Sequence, residues 1–302
     1  MDDTDRRILQ ELQRNCRVSY EKLSRELGIT GNSVKRRVKK LIDEGVIDSF
    51  VLILSFAMVG AEPMLTLVEL DGTQDDEEII EKIGHHPFVN RVGFDSHGWL
   101  VVWVEYIGVE GLSEISSFIR GLEGVREVEL NPLPPNNRGK KIEFSNTQLR
   151  VLKVLRKDPR MPVSQIAKEA GITTKRTRRV IRELEESEAV WFSAKVNVNA
   201  GSSTRFVLRL SWDEKKISSQ DIEKYAREKY PHMYEGAHVS ASNPRMFAMF
   251  TADHIRIAES VARDLQKLPS VDHEITVIPY PAHLYEGIRE SSLADLIEKA
   301  KV

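Results

Sequence analysis

The sequence predicts an α+β protein with two winged helix-turn-helix domains and two ferredoxin-like βαββαβ domains, arranged as a pseudo-two-fold duplication. Three observations predict this class. Two short amphipathic helices joined by a tight turn occur near the start of the chain, the same pattern recurs 143 positions later, and strands and helices in the order βαββαβ follow each copy. A chain of 302 residues is long enough for several domains with separate hydrophobic cores.

The first domain, residues 1–58, is predicted to contain three helices. Acidic residues open the first helix, Ser19 caps the second, and Gly28 provides the turn after it, as a helix-turn-helix requires. The apolar side chains of these two helices are Ile8, Leu9, Leu12, Tyr20, Leu23 and Leu27. The apolar run Val46–Phe56 is predicted to form the strands of a wing.

The third helix carries most of the positive charge of this domain. Thr30 is its predicted N-cap and Gly45 its end, and Val34, Val38, Leu41 and Ile42 form its predicted buried stripe. The polar side chains are Asn32, Ser33, Lys35, Arg36, Arg37, Lys39 and Lys40. No acid precedes Asp43 in this helix, so we expect the five cations to lack a local partner and to favour an anion.

The repeat predicts a second helix-turn-helix domain over residues 142–198. The matching pairs are Leu9 and Leu152, Leu12 and Leu155, Arg17 and Arg160, Gly28 and Gly171, Ile29 and Ile172, Thr30 and Thr173, Arg36 and Arg179, and Leu41 and Leu184. Thr177, Ile181 and Leu184 are its predicted buried stripe. Its exposed cations are predicted to be Lys175, Arg176, Arg178, Arg179 and Arg182.

A βαββαβ region follows each helix-turn-helix, at residues 62–134 and 203–282. The predicted strands are Leu65–Leu70, Val89–Asp95, Leu100–Tyr106, Val125–Leu130, Arg205–Trp212, Tyr234–Ala241, Met246–Thr251 and Val271–Pro279. The predicted helices are Asp76–Ile83, Gly111–Leu122, Ser219–Lys229 and Asp253–Leu268. Proline, asparagine and glycine indicate a linker at 135–141, and Leu293, Leu296 and Ile297 predict a C-terminal helix within 286–302.

The basic helix of the first copy resembles the signature of the Lrp/AsnC family of prokaryotic transcription regulators. The residues that carry the resemblance are Val34, Arg37, Val38, Lys39, Leu41, Gly45, Val46 and Ile47. The βαββαβ regions resemble the family's regulation-of-amino-acid-metabolism domain, which pairs through its sheet into dimers. A tandem chain would therefore form a pseudo-dimer with two recognition helices, and whether two such chains pair into a homodimer stays open.

The resemblance implies a transcription regulator that binds double-stranded DNA. Asn32, Ser33, Lys175 and Arg176 near the helix starts would face base edges, and the other cations would contact phosphates. Because the copies differ at these positions, we expect an asymmetric operator. Val180 and Glu188 depart from the signature at the positions of Arg37 and Gly45. The alternative is a solvated cationic face on a packing module.

Two hairpins are candidates for an effector site. By the resemblance, Asp95, Ser96 and His97 would bind a small polar molecule such as an amino acid, with Ser242 and Asn243 at the matching turn of the second copy. The favoured alternative is a tight turn in which Gly98 takes a positive φ and Asp95 bonds its own backbone. The two copies differ here, so any pair of ligands would be unequal.

An enzyme is the competing function class. Sirohaem decarboxylases resemble this architecture, and in that case His85, His86, His97 or His232 would donate protons while Arg91 or Arg245 held a carboxylate. The sequence contains no known catalytic signature, so we expect no catalytic residues, no cofactor and no metal site. A third class is an effector-binding module that recruits proteins without reading DNA.

Composition limits the choice further. The formal net charge is −2, so affinity for nucleic acid would have to come from local basic patches. Cys16 is the only cysteine, which excludes an internal disulfide and a cysteine-based zinc site. No stretch has the character of a signal peptide or a bilayer span, so we expect a cytoplasmic protein with no membrane partner.

Overall fold

The computed structural model describes residues 1–134, 139–197, 200, 203–277 and 282–300. The chain divides into two compact units. The sheet unit comprises Glu62–Pro135 and Asn197–Tyr285, together with Met1. The helical unit comprises Asp2–Ala61, Asn136–Val196 and Glu286–Val302. Each unit therefore combines matching segments from the two halves of the chain.

The first half of the chain contains six helices and five strands within its described residues. They are α1 (Asp3–Arg14), α2 (Tyr20–Leu27), α3 (Gly31–Asp43), β1 (Ile47–Leu54), α4 (Phe56–Val59), β2 (Glu62–Leu70), α5 (Asp76–Gly84), β3 (Val89–Phe94), β4 (Leu100–Tyr106), α6 (Gly108–Arg120) and β5 (Val125–Pro132).

The second half repeats this order, except that its described residues contain no counterpart of α4 and that β11 and α12 follow at the end. Its elements are α7 (Asn146–Lys157), α8 (Val163–Ala170), α9 (Thr174–Glu186), β6 (Val190–Val196), β7 (Thr204–Trp212), α10 (Ser219–Lys229), β8 (Tyr234–Val239), β9 (Arg245–Ala252), α11 (Arg256–Leu265), β10 (Val271–Val277), β11 (His283–Leu284) and α12 (Ile288–Lys299). Across the described ranges, no helix is both long enough and apolar enough to cross a membrane.

Side-chain caps explain where α1, α2, α3, α7 and α9 begin. The Ser19, Thr30 and Thr173 hydroxyls each accept a hydrogen bond from the N–H three residues further on, as predicted for Ser19 and Thr30. Two capping boxes, Asp2 with Asp5 and Ser145 with Gln148, start α1 and α7. The repeat therefore preserves these hydrogen bonds at the first and third helices of each copy, whereas Pro162, at the position of Ser19, precedes α8 without a side-chain cap.

The two copies of the helix-turn-helix share one small sheet. Strand β1 pairs antiparallel with β6, with Leu52 opposite Phe192. The sequence predicted wing strands within Val46–Phe56; the structure has one strand there, β1, and its partner strand comes from the other copy. After its third helix each copy supplies a single described strand. The backbone N–H and C=O groups of that strand need hydrogen-bond partners, and the strand of the other copy provides them. The Cys16 N–H also donates to the Phe192 carbonyl at 2.9 Å.

A continuous hydrophobic core joins the two copies. Leu52 and Leu54 of β1 belong to the same buried cluster as Leu152 and Leu155 of α7. Helix α12 adds Leu293 and Ile297 to this cluster, and the Arg289 guanidinium donates to the Leu54 carbonyl at 3.1 Å.

The prediction that Ile42 is buried is wrong. Ile42 is 44% exposed because it lies at the edge of the apolar stripe of α3. Leu296 of α12 is likewise 37% exposed, whereas Leu293 and Ile297 of the same helix are buried.

The sheet unit contains two sheets with the same strand order. The orders are β5-β2-β4-β3, extended by β11 beyond β3, and β10-β7-β9-β8. In each sheet the fourth, first, third and second strands of a βαββαβ region lie side by side, all antiparallel. Apolar side chains from both sheets form one shared cluster, namely Leu65, Leu67, Trp99, Val101, Trp103, Val207, Phe247 and Met249. The sheets thus pack face to face.

Element ends differ modestly from the predictions. Helix α6 begins at Gly108 rather than Gly111, and α11 begins at Arg256 rather than Asp253. Strand β8 ends at Val239 rather than Ala241 because the next residues form a turn. The predicted strand end at Pro279 and residues 135–138 of the predicted linker lie outside the described residues.

Candidate nucleic-acid interface

Helix α3 buries one side and presents the other to solvent. Val34, Val38 and Leu41 are buried. Asn32, Lys35, Arg36, Lys39 and Lys40 are exposed, while Ser33 and Arg37 are half-buried. Among the described residues, no acid lies within ion-pair distance of Lys35 or Arg36. These two cations are therefore available to an external anion.

Arg37 is held inside the domain by two carboxylates. Its guanidinium Nη1 lies 2.7 Å from Asp5 Oδ1 and 2.8 Å from Asp2 Oδ2. Hydrogen bonds to Asp5 and Asp2 raise the pKa of Arg37. Burial opposes ionisation of Asp2, but hydrogen bonds from the Asp5 N–H and from Arg37 outweigh it and lower the pKa of Asp2. We call Arg37, Asp2 and Asp5 the acidic clamp.

Two further cations of α3 have partners on the same stretch of chain. Lys39 lies 2.7 Å from Asp43, and Lys40 lies 3.6 Å from Glu44. All four groups are well exposed, so these pairs are weak and open to exchange with another anion. The prediction that the five cations lack a local partner is wrong for these two and for Arg37.

Helix α9 of the second copy has the same capped start and a more open cationic face. Thr177, Ile181 and Leu184 are buried as predicted, and Val180 is buried with them. The exposed cations are Lys175, Arg176, Arg178, Arg179 and Arg182. Arg179 pairs with Glu183 at 2.7 Å and Arg182 with Glu186 at 3.7 Å, while Arg176 donates to the Thr147 hydroxyl at 3.1 Å.

A groove of about 730 Å³ runs beside α9. Its lining residues are Ser145, Thr147, Thr173, Lys175, Arg176, Arg178, Arg179, Val180, Arg182 and Glu183. Glu183 is the single acid among them, so cations and hydroxyl donors dominate the walls. Such a lining is suited to phosphate groups, which accept hydrogen bonds from both types of side chain.

The recognition helices are fixed to one body. Besides the β1–β6 ladder, the Asn15 amide lies 3.0 Å from Glu185, and the Arg17 guanidinium donates to the Pro159 and Met161 carbonyls. Arg160 stacks over the ring of Tyr20 at 4.8 Å. These contacts run from each copy to the other, so α3 and α9 are carried by one packed unit rather than by a flexible tether.

Comparison with known proteins supports the resemblance. A family model of winged helix-turn-helix DNA-binding domains matches residues 1–48 and 144–190. An HTH-type transcriptional regulator of Pyrococcus horikoshii is 30% identical over 102 residues, which cover 33% of this chain and 68% of that protein. LrpA of the same organism is 26% identical over 132 residues, covering 42% of this chain and 92% of LrpA. The chain belongs to the Lrp/AsnC family.

One solved structure matches this Lrp/AsnC protein over its full length. The crystal structure of the sirohaem decarboxylase NirDL aligns with a TM-score of 0.56 and 15% identity, covering 100% of each chain. At this identity the match shows a shared fold and not a shared activity. The predicted α+β class, with its duplicated arrangement of helix-turn-helix and βαββαβ domains, is confirmed.

The first predicted effector hairpin of the Lrp/AsnC protein has the geometry of a tight turn. Asp95 Oδ1 accepts hydrogen bonds from the N–H groups of His97 at 2.8 Å and Trp99 at 3.0 Å, and Gly98 has a φ of 82°. His97 lies 3.5 Å from the Thr276 hydroxyl and 3.6 Å from Glu274. The exposed Ser96 occupies the tip of this turn.

The second predicted effector hairpin is more exposed. Ser242 accepts a hydrogen bond from the Asn243 amide at 3.3 Å, and both side chains face solvent. A cavity of about 50 Å³ between the two sheets is lined in part by Asp95, Arg209 and His238, but by neither Ser242 nor Asn243. The structure therefore does not bring the two predicted effector sets into one cavity.

The candidate proton donors of the enzyme alternative are scattered and mostly engaged. His85 lies 2.7 Å from the Glu81 carbonyl, and His86 packs against Phe88 and Phe118. Burial lowers the pKa of His86.

Of the other residues named for that alternative, one is committed to an ion pair. Arg245 pairs with Glu129. Arg91 lies opposite Trp103 on the face of its sheet that meets the second sheet, and burial lowers its pKa although part of its side chain is exposed. His232 lies exposed after α10.

Four residues near the interface were missed at the level of sequence. They are Asp2, Asp5, Ser145 and Thr147, which lie at the first turns of α1 and α7. A comparison of the two copies could have identified them, because three matching positions differ together. Where the first copy has Asp2, Asp5 and Arg37, the second has Ser145, Gln148 and Val180, so both acids and their cation change together.

Proposed function

We propose that this Lrp/AsnC protein is a sequence-specific transcription regulator whose two recognition helices bind one double-stranded DNA operator. The observation that carries the proposal is the shared body of the helical unit, which holds two capped helices with outward-facing cations on one fold. Family membership supports DNA as the partner, because the matched family model is one of DNA-binding domains.

The base-facing positions support an operator with two unlike halves. Asn32 and Ser33 near the start of α3 correspond to Lys175 and Arg176 near the start of α9. Asparagine favours adenine, whereas lysine and arginine favour guanine, so the two helices would select different sequences. We expect half-sites whose centres lie about 10 base pairs, or a multiple of one helical turn, apart.

Selection from a random duplex library, followed by footprinting of the recovered sequence, tests this proposal. The expected result is one protected region with two different half-sites. Arg36→Glu should abolish protection of one half and Arg179→Glu of the other, because each change places an acid against the phosphates. Lys215→Glu, at an exposed position of the sheet unit, is the matched control and should leave both halves protected.

Loss of all sequence preference over random DNA would refute the proposal. Retention of full activity by Arg36→Glu and Arg179→Glu together would instead favour a module that recruits other proteins without reading DNA. Uptake and spectral change of sirohaem by the purified protein would favour the enzyme alternative.

A small-molecule effector is the finer part of the proposal. What supports a site in the sheet unit is the placement of His97 against Thr276 and Glu274, which joins residues of both sheets. An amino acid that bound there would raise the melting temperature by mass action. A screen of amino acids by thermal shift, with His97→Ala as the control, tests this part.

A further inference from the structure

The surroundings of α3 and α9 differ most where each helix lies beside the first turn of α1 or α7, the helix that starts its copy. In the second copy this place is the open groove beside α9, with Thr147 on one wall and Arg176 donating to its hydroxyl. In the first copy the corresponding place is occupied by the acidic clamp of Arg37, Asp2 and Asp5.

The groove has cations that nothing in the described protein neutralises. No acid among the described residues lies within ion-pair distance of Lys175 or Arg178, and the hydrogen-bond partner of Arg176 is the neutral Thr147. Glu183 is engaged by Arg179. The groove therefore combines unpaired positive charge with space, which a polyanion would fill.

The acidic clamp has the opposite character. Asp2 and Asp5 neutralise the charge of Arg37. Asp3 pairs with Arg6 at 2.5 Å in the same first turn. Three carboxylates around this turn repel a phosphate, whereas the first turn of α7 carries no acid. Arg37 is thus a positioning residue that holds α3 to α1.

We infer that a backbone phosphate of the bound duplex occupies the groove beside α9, and that no phosphate occupies the corresponding place in the first copy. This inference rests on the proposed function. At this place the second copy then makes a phosphate contact that the first copy lacks, and Arg37 contributes none.

The test uses the full chain, a labelled duplex long enough for both helices, and binding measured by fluorescence anisotropy over a range of salt concentrations. Thr147→Glu places an acid in the groove, and Thr4→Glu makes the same change at the matching position of α1. Both are at second positions of helices, where glutamate is favourable, so both variants should fold. Thr147→Glu should lower the magnitude of the negative slope of log affinity against log salt by about 0.9, the value for one lost phosphate.

Thr4→Glu should leave the salt slope unchanged. A reciprocal pair checks the result independently of these threonines. Ser145→Asp with Gln148→Asp should lower the magnitude of the slope by about 0.9. Asp2→Ser with Asp5→Gln should raise that magnitude by about 0.9 because Arg37 is released. Melting temperatures of all variants establish that the native fold is kept.

Equal effects of Thr147→Glu and Thr4→Glu, or no effect of either, would overturn the inference. An unchanged slope in the variant that lacks Asp2 and Asp5 would show that Arg37 does not gain a phosphate, and would contradict its role as a neutralised cation. A wild-type protein that bound no DNA even at low salt would refute the proposed function itself, which separates the two failures.

Discussion

The two helix-turn-helix copies place different chemistry at the same structural position. In the first copy, Arg37 joins the recognition helix to α1 through Asp2 and Asp5. In the second copy the corresponding residue is Val180, which is apolar and only 4% exposed. Ser145 and Gln148, which stand where the first copy has Asp2 and Asp5, cap α7 without charge. The first and third helices of each copy are therefore held together differently, by ion pairs between α1 and α3 and by apolar packing between α7 and α9.

This difference shows that cationic residues of a recognition helix cannot be counted as DNA contacts without their surroundings. Arg37 belongs to the signature by which the family resemblance was found, yet its charge is used inside the domain. The second copy departs from that signature at Val180, yet it has the more open cationic groove. Departure from the signature therefore argues less against DNA contact than the sequence suggested.

Giving the second copy the arginine of the first copy should have the largest effect on stability. Val180→Arg places a cation in an apolar site that offers neither Asp2 nor Asp5, so we expect a loss of about 3 kcal/mol in the free energy of unfolding. Urea unfolding followed by circular dichroism measures it. Adding Ser145→Asp and Gln148→Asp should recover part of the loss, since these residues recreate the acidic clamp. A loss below about 0.5 kcal/mol would mean that the site at Val180 already accommodates charge.

Local features of the fold were predictable from the sequence because their causes lie within a few residues. Thr30 and Ser19 were assigned correctly as caps, since a cap bonds an N–H three positions away. Strand β4 was predicted at Leu100–Tyr106 and has those bounds, because the alternation that marks a strand is also a local pattern.

Features that depend on distant partners were not predictable in the same way. The ladder between β1 and β6 joins segments more than one hundred positions apart, and nothing in either strand specifies its partner. The acids that hold Arg37 lie on another helix, so a search along α3 for a partner could not find them.

The sheets offer a second contrast between the copies, with an intermediate expected effect. His238 of β8 faces Trp103 at 4.7 Å and lines the cavity between the sheets, where the first copy has Gly93 at the matching position of β3. Burial, with a contribution from nearby Arg91, lowers the pKa of His238 to about 4.

The sign of the pH effect follows from this lowered pKa. Above pH 6.5 the imidazole is neutral in both the folded and the unfolded state, and its full contribution to stability is present. Below pH 6.5 the imidazole binds a proton in the unfolded chain but stays neutral in the folded protein, so stability falls. We expect the sheet unit to lose about 2 kcal/mol as the pH falls from 6.5 to 4. Chemical denaturation across this range measures it. His238→Phe should remove most of that slope, and exposed His232→Phe should not; equal slopes in both variants would contradict the assignment.

The smallest expected effect concerns the residue that ends each recognition helix. Gly45 follows α3 with a φ of 71°, and Glu188 follows α9 with a φ of 49°, a left-handed conformation that costs a residue with a side chain about 1 kcal/mol. Glu188→Gly should therefore stabilise the helical unit by about 0.5 kcal/mol after the greater freedom of glycine in the unfolded chain is counted. Gly45→Ala should destabilise it by about 1 kcal/mol, because that glycine already meets the requirement. Thermal unfolding of the two variants beside the wild type measures both. Destabilisation by Glu188→Gly would mean that the contacts of the Glu188 side chain outweigh its backbone strain.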